Sequence, residues 1–91
     1  MADDRQRILD RFMRDGRLVA FPARRSRRRI ILERVVQDFE PGRHYPEAEI
    51  NEILRRFNPD VAALRRYLVD EELMDRADGE YWRCGGLVDE E

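Results

Sequence analysis

An α+β fold with a three-helix core and a β-hairpin is the class this chain predicts, and three observations carry it. Apolar residues recur at helical spacing in three successive segments between Arg24 and Leu68. The second and third of these segments are separated by Asn58-Pro59-Asp60, which combines a capping side chain, a proline suited to a first helical turn and an acid. Beyond them, Leu73 and Met74 lead through Asp78-Gly79 to Tyr81–Cys84, a hairpin pattern, because Asp-Gly readily takes the positive φ angles of a type I′ turn. Helix, short turn, helix, hairpin is the order of a winged helix-turn-helix, with the hairpin as the wing.

Each element has its own signals. Asp3 and Asp4 stand where a helix cap belongs, Ile8, Leu9, Phe12 and Met13 recur at helical spacing, and Asp15-Gly16 supplies a stop, so a first helix is expected over about residues 4 to 14. Leu18 to Phe21, an apolar run between Gly16 and Pro22, reads as a short strand that either covers the core or pairs with the hairpin. From about Arg24 to Gln37, Ile31, Leu32, Val35, Val36 and Phe39 mark one broad helical face that ends at Pro41-Gly42. Pro46 suits the first turn of the next helix, Glu47 and Glu49 favour its positive end, and Ile50, Ile53 and Leu54 form its buried stripe up to about Phe57. In the last helix Val61, Leu64 and Leu68 point inward. On the closing strand Tyr81 and Arg83 project to one side and Trp82 and Cys84 to the other, one pair closing the core.

A length of 91 residues fits one compact domain and leaves no room for a second core. Within it, residues 1–22 form an N-terminal helix and strand extension, 23–84 the winged-helix core, and 85–91 an acidic tail. No run approaches the roughly 18 apolar residues of a membrane span, and the opening MADDRQRILD lacks a secretory layout, so a cytoplasmic chain is expected. The single cysteine, Cys84, makes no internal disulfide.

The inventory argues against an enzyme. Nucleophilic catalysis needs an activated Ser, Thr, Cys or Lys beside an oriented base, yet the chain has no Thr or Lys and only Ser26, Cys84 and His44 of the other reactive types. A structural zinc site wants four Cys or His ligands, and this chain has two such residues in total. No metal, cofactor or Gly-rich phosphate loop is expected.

Charge is the sharper feature. The net charge is −2, but residues 1–45 hold 12 Arg against 7 acids and residues 46–91 hold 6 Arg against 13 acids. Arg24, Arg25, Arg27, Arg28 and Arg29 crowd the start of the long helix, where positive side chains oppose the helix macrodipole unless anions compensate them. Phosphates would do so, and free N–H groups at that helix end would add donors, so the cluster reads as a clamp on a nucleic-acid backbone. The competing reading is a solvated cluster partly neutralised by the acidic half. Arg66 lies on the outer side of the last helix, near Asn58, Ala62, Ala63 and Tyr67, where a winged-helix protein reads the major groove. Arg65 flanks the Leu64 face and is expected to serve structure by pairing with an acid, for example in the wing. Asp60, Asp70, Glu71, Glu72, Asp75, Asp78 and Glu80 on the same elements would repel phosphates.

Taken together, Leu18, Phe21-Pro22, Tyr45, Glu47, Glu49, Asn51, Leu54, Asp60, Leu64-Arg65-Arg66, Leu68, Arg76 and Tyr81 resemble a bacterial domain-of-unknown-function family with a winged-helix-like core, met alone or joined to ArsR-type repressors. The resemblance spans roughly Arg17 to Arg83 and implies a regulatory association, with no family-wide catalytic residues. One departure stands out. The family often has glycine just before the apolar pair that starts the wing, where this chain has Glu72, so the helix is expected to run on or to close less sharply.

The expected function is that of a non-enzymatic, transcription-regulator-like protein that binds double-stranded DNA through Arg24, Arg25, Arg27, Arg28, Arg29 and Arg66. The alternative is a protein-interaction module on the same scaffold, using its acidic wing or its first helix, through which a homodimer could also form. Neither reading calls for a membrane.

Overall fold

The computed structural model describes residues 2–85. The elements run α1 (Ala2–Phe12), β1 (Met13–Arg14), β2 (Arg17–Leu18), α2 (Arg25–Val36), β3 (His44–Pro46), α3 (Glu47–Arg55), α4 (Val61–Asp70), β4 (Met74–Ala77) and β5 (Glu80–Arg83). These form a small α+β domain of four helices and two antiparallel sheets among the described residues. The expected tail from residue 86 onward lies outside them.

α4 starts two residues later than Asn58-Pro59-Asp60 suggests, with Asp60 in place of Asn58 as the cap and Pro59 outside the helix. Asp60 accepts a hydrogen bond from the Ala63 amide at 3.1 Å and so caps α4, while Asn58 Oδ1 accepts from the Asp60 amide at 2.8 Å and shapes the turn before it. Pro46 sits one residue before α3, at φ −58, and Glu47 and Glu49 occupy the first turn. α1 starts at Ala2, so Asp3 and Asp4 lie inside its first turn, past the cap position expected for them.

Asp15-Gly16 does more than stop α1. With φ of 54° and 77° it turns the chain into a miniature hairpin, Met13 opposite Leu18 and Arg14 opposite Arg17. The apolar run from Leu18 to Phe21 therefore contributes a strand only at Arg17–Leu18, and that strand pairs with β1 and not with the C-terminal hairpin. Its exit is fastened to the end of α3: the Leu18 amide donates to Phe57 O at 2.7 Å, and Asn58 Nδ2 donates to Leu18 O at 2.8 Å.

The strand that does join the hairpin is β3, which periodicity did not reveal because it is only three residues long. β5 lies between β3 and β4, with Tyr45 opposite Tyr81 and Arg76 opposite Tyr81 on its two sides. Alternation then puts Tyr45, Tyr81 and Arg83 on the core side and His44 and Trp82 on the outer face, where their rings stack 4.5 Å apart. The turn between β4 and β5 is Asp78-Gly79 at φ 54° and 78°, as its composition demands.

One apolar core holds these layers together. Ile31, Leu32, Val35, Val36 and Phe39 from α2 and its exit meet Ile50 and Leu54 from α3, Leu64 and Leu68 from α4, and Leu73, Met74, Tyr45 and Tyr81 from the sheet. Leu18 belongs to the same core, and Ile8, Leu9, Phe12 and Met13 of the N-terminal hairpin unit pack against it. The apolar face of α1 is thus turned toward its own domain. Arg83, buried in this layer, donates to Phe39 O at 3.0 Å and Gly85 O at 3.1 Å.

The expectation for Glu72 is overturned. Glu72 itself takes φ +61°, the left-handed conformation glycine would supply, and α4 closes sharply. Its amide donates to Val69 O and the Leu73 amide donates to Leu68 O, both at 3.0 Å, the paired bonds of a Schellman motif. Leu68 and Leu73, which the motif brings together, are both fully buried. Burial of Leu73 holds the backbone in a conformation that Glu72 disfavours.

Candidate nucleic-acid interface

The arginine cluster begins α2 with no side-chain cap and no acid in the first turn. Positive side chains at the positive end of a helix are unfavourable, and so is the mirror case at α4, whose last turn has no basic residue and whose end carries Glu71. The fold brings these two ends together, and each supplies what the other lacks. Arg25 Nε donates to Glu71 Oε2 at 2.7 Å, and Arg29 Nη1 donates to Glu71 Oε1 at 3.1 Å and to the Glu71 carbonyl at 2.8 Å. The side chain of Glu71 is only 6% exposed. The Arg25 hydrogen bond, assisted by Arg29, holds its carboxyl below the usual glutamate range in spite of burial.

The six arginines expected from the sequence to touch DNA therefore separate into two groups. Arg25 and Arg29 are engaged with Glu71, and Arg29 also meets Glu33 at 3.1 Å. Arg28 donates to the carbonyls of Pro22 and Ala23, both at 3.2 Å, and its guanidinium lies 4.5 Å from the centre of the Tyr67 ring. Arg24 and Arg27 are exposed, and no side-chain partner meets either among the described residues. Arg66 is exposed on α4 and lies 5.5 Å from the same Tyr67 ring. Tyr67, with Phe21 tilted against it at 5.6 Å, is thus the point where arginines remote in sequence meet.

Beside this patch a cleft of about 270 Å³ opens between α4 and the hairpin. Ala62, Arg65, Arg66, Val69, Asp70, Arg76 and Tyr81 line it. Arg65 does serve structure, but its partner is the Asn51 amide oxygen on α3, at 2.5 Å, and not an acid of the wing. Arg76 reaches the Tyr81 hydroxyl at 3.5 Å. The sequence singles out Arg76 only as one of the residues that carry the family resemblance; its register opposite Tyr81 is what sets it beside α4. The one signal that could have found the Glu71 pairing is the coincidence of an uncapped basic helix start and an acidic helix end.

Among the described residues no three His, Cys, Asp or Glu side chains gather as a metal site, and no helix is long and apolar enough to cross a membrane. His44 and Cys84 stay apart: His44 meets Glu80 at 3.2 Å, and the Cys84 thiol donates to Glu72 O at 3.4 Å.

Fold and site together define a small α+β domain with an arginine-lined cleft beside α4. The chain belongs to the family DUF2087, described as an uncharacterized protein conserved in bacteria, which matches residues 17–83. The match begins at Arg17, so it takes in Leu18 and its ties to α3 but leaves out α1 and β1. No curated protein and no solved structure matches the chain.

Proposed function

We propose that this domain is a winged-helix, transcription-regulator-like protein that binds double-stranded DNA in the bacterial cytoplasm and does no chemistry on it. What supports the winged-helix reading is the order α2, β3, α3, α4, β4, β5, with β3 on the far side of β5 from β4. In that reading α4 is the helix offered to the major groove and β4–β5 is the wing.

The observation that carries the DNA reading is the convergence of Arg28 and Arg66 on Tyr67, with the exposed Arg24 and Arg27 on the same helix start, whose guanidinium groups meet no partner among the described residues. Arg24, Arg27 and Arg66 are the phosphate contacts. Arg25, Arg28 and Arg29 act mainly by holding α2 against α4. Such contacts position a duplex without reading its sequence.

The test is fluorescence anisotropy with mixed-sequence duplex DNA across a salt series, using the wild type and the triple variant Arg24→Ala, Arg27→Ala, Arg66→Ala. Affinity is expected to fall with salt. The slope of log K against log salt should drop by up to about 2.7 in the variant, at about 0.9 for each phosphate no longer neutralised. Folded protein that shows no binding at low salt overturns the reading. A protein-interaction role on the same scaffold is then favoured, for which the exposed acids Asp75, Asp78 and Glu80 of the hairpin offer the docking charge.

A further inference from the structure

The cleft between α4 and the hairpin gathers three arginines whose charge no ion pair offsets among the described residues. Arg5, Arg7, Arg25, Arg29, Arg34, Arg43 and Arg55 all meet a carboxylate within ion-pair distance. The three arginines that line the cleft do not. Arg65 is steered by the neutral Asn51 amide, Arg76 by the neutral Tyr81 hydroxyl, and Arg66 by the face of Tyr67. Asp70 is the one acid of the lining, so three positive charges and one negative charge surround a single concavity. A concave site with a low-dielectric wall focuses such a field.

The donors are also unspent. A guanidinium carries five N–H donors; Arg65 and Arg76 each use one nitrogen, at 2.5 Å and 3.5 Å, and Arg66 makes no hydrogen bond among the described residues. Tyr81 is 2% exposed, its hydroxyl accepts from Arg76, and no acceptor among the described residues meets its own proton. Buried hydroxyls ordinarily find such a partner. The Tyr45 hydroxyl, by contrast, is already engaged by the Glu40 amide at 2.8 Å.

We propose that this cleft binds the terminal phosphate of a small phosphorylated molecule, with Arg65, Arg66 and Arg76 around the phosphate oxygens and the Tyr81 hydroxyl donating to one of them. The lining's excess of two positive charges matches a phosphate monoester dianion. Its neighbour decides against a nucleic-acid backbone. A second cleft of about 210 Å³ shares Arg76 and Tyr81 and is lined further by Glu47 and Asp78, whose carboxylates would repel the next phosphate of a chain. Those same carboxylates suit the hydroxyl groups of a sugar. The site shares Arg66 with the DNA reading but not Arg24 or Arg27, so Arg65, Arg76 and Tyr81 distinguish the cleft from the duplex contacts.

Titration of ¹⁵N-labelled protein with ribose 5-phosphate, inorganic phosphate and dimethyl phosphate, read by amide chemical shifts, tests this. Saturable shifts confined to residues 62–81 are expected with the first two probes. The double variant Arg66→Gln, Arg76→Gln should weaken binding at least about tenfold, as removal of charge-assisted hydrogen bonds requires. Tyr81→Phe should weaken it while leaving the fold, checked by circular dichroism, unchanged; Arg27→Gln should have no effect. Absence of shifts with ribose 5-phosphate, or equal weakening by Arg27→Gln, overturns the proposal. Dimethyl phosphate binding as well as the monoester overturns the dianion assignment and returns the cleft to a diester backbone. Duplex binding, measured separately by anisotropy, bears on the DNA reading alone.

Discussion

Replacing Glu71 by Gln isolates the contact that joins α2 to α4. The carboxylate, 6% exposed, accepts from Arg25 Nε at 2.7 Å, Arg25 Nη2 at 3.4 Å and Arg29 Nη1 at 3.1 Å. Hydrogen bonds to charged groups contribute about 1.5–3 kcal/mol each, but the Arg25 and Arg29 side chains are 73% and 42% exposed, and water screens their share. Glutamine keeps the size and one acceptor. A net loss of about 2 kcal/mol follows, equivalent in a domain of this size to a melting temperature lower by roughly 8–16 °C. Urea unfolding followed by far-ultraviolet circular dichroism measures it.

Glu71 also sets a pH dependence. Because its folded pKa is depressed, the stability it adds is present above the ordinary glutamate value and is lost as pH falls through the folded value. The gap between wild type and variant should therefore be full at pH 7 and narrow as the pH is taken below about 4.3, the ordinary glutamate pKa. A variant within roughly 0.5 kcal/mol of wild type at pH 7, the size of an ordinary surface change, would refute the reasoning and reduce the contact to a surface pair. If the DNA reading holds, the variant should also bind duplex more tightly at low salt, since Arg25 loses its carboxylate partner while Arg29 keeps Glu33.

Three further outcomes follow from the backbone and from Cys84. Glu72→Gly should stabilise the protein by about 0.5–1 kcal/mol, the relief of left-handed strain exceeding the entropy glycine adds to the unfolded chain; a lower urea midpoint would contradict the Schellman closure. Gly85→Ala should destabilise by roughly 1–3 kcal/mol, because a Cβ there would lie 2.5 Å from Glu72 O and 3.1 Å from Leu73 Cα; an unchanged urea midpoint would show that the backbone gives way without cost. Partial desolvation, followed by Asp75 and Glu72, pushes the Cys84 thiol up, so its alkylation by iodoacetamide near neutral pH should be slower than that of free cysteine. An equal or faster rate would show that burial and the neighbouring carboxylates do not keep the thiol protonated.

The hairpin turn and the start of α4 were legible because they are local, although the sequence points to Asn58 as the cap and the structure places it at Asp60. Asp78-Gly79 and Asp60 act on atoms one to three residues away, so composition alone specifies the turn and a helix start. β3 was not legible, since three residues carry no period, and its pairing with β5 depends on a partner far along the chain, Tyr81 for Tyr45. The Glu72 expectation failed for a related reason. Propensity speaks against a left-handed glutamate, but burying Leu73 against Leu68 outweighs it.

The same division runs through the candidate site. By itself the chain determined which helices exist, which faces they bury and that arginines crowd the start of α2, because these follow from 3.6-residue periodicity and local capping. Only the tertiary structure decided what those arginines do. Salt bridges between α2 and α4 span 42 to 46 residues, and helix ends of opposite polarity find each other only once the core has packed. That packing spends Arg25 and Arg29 on Glu71, leaves Arg24, Arg27 and Arg66 to solvent, and gathers Arg65, Arg66 and Arg76 around one cleft, an arrangement that no spacing in the sequence encodes.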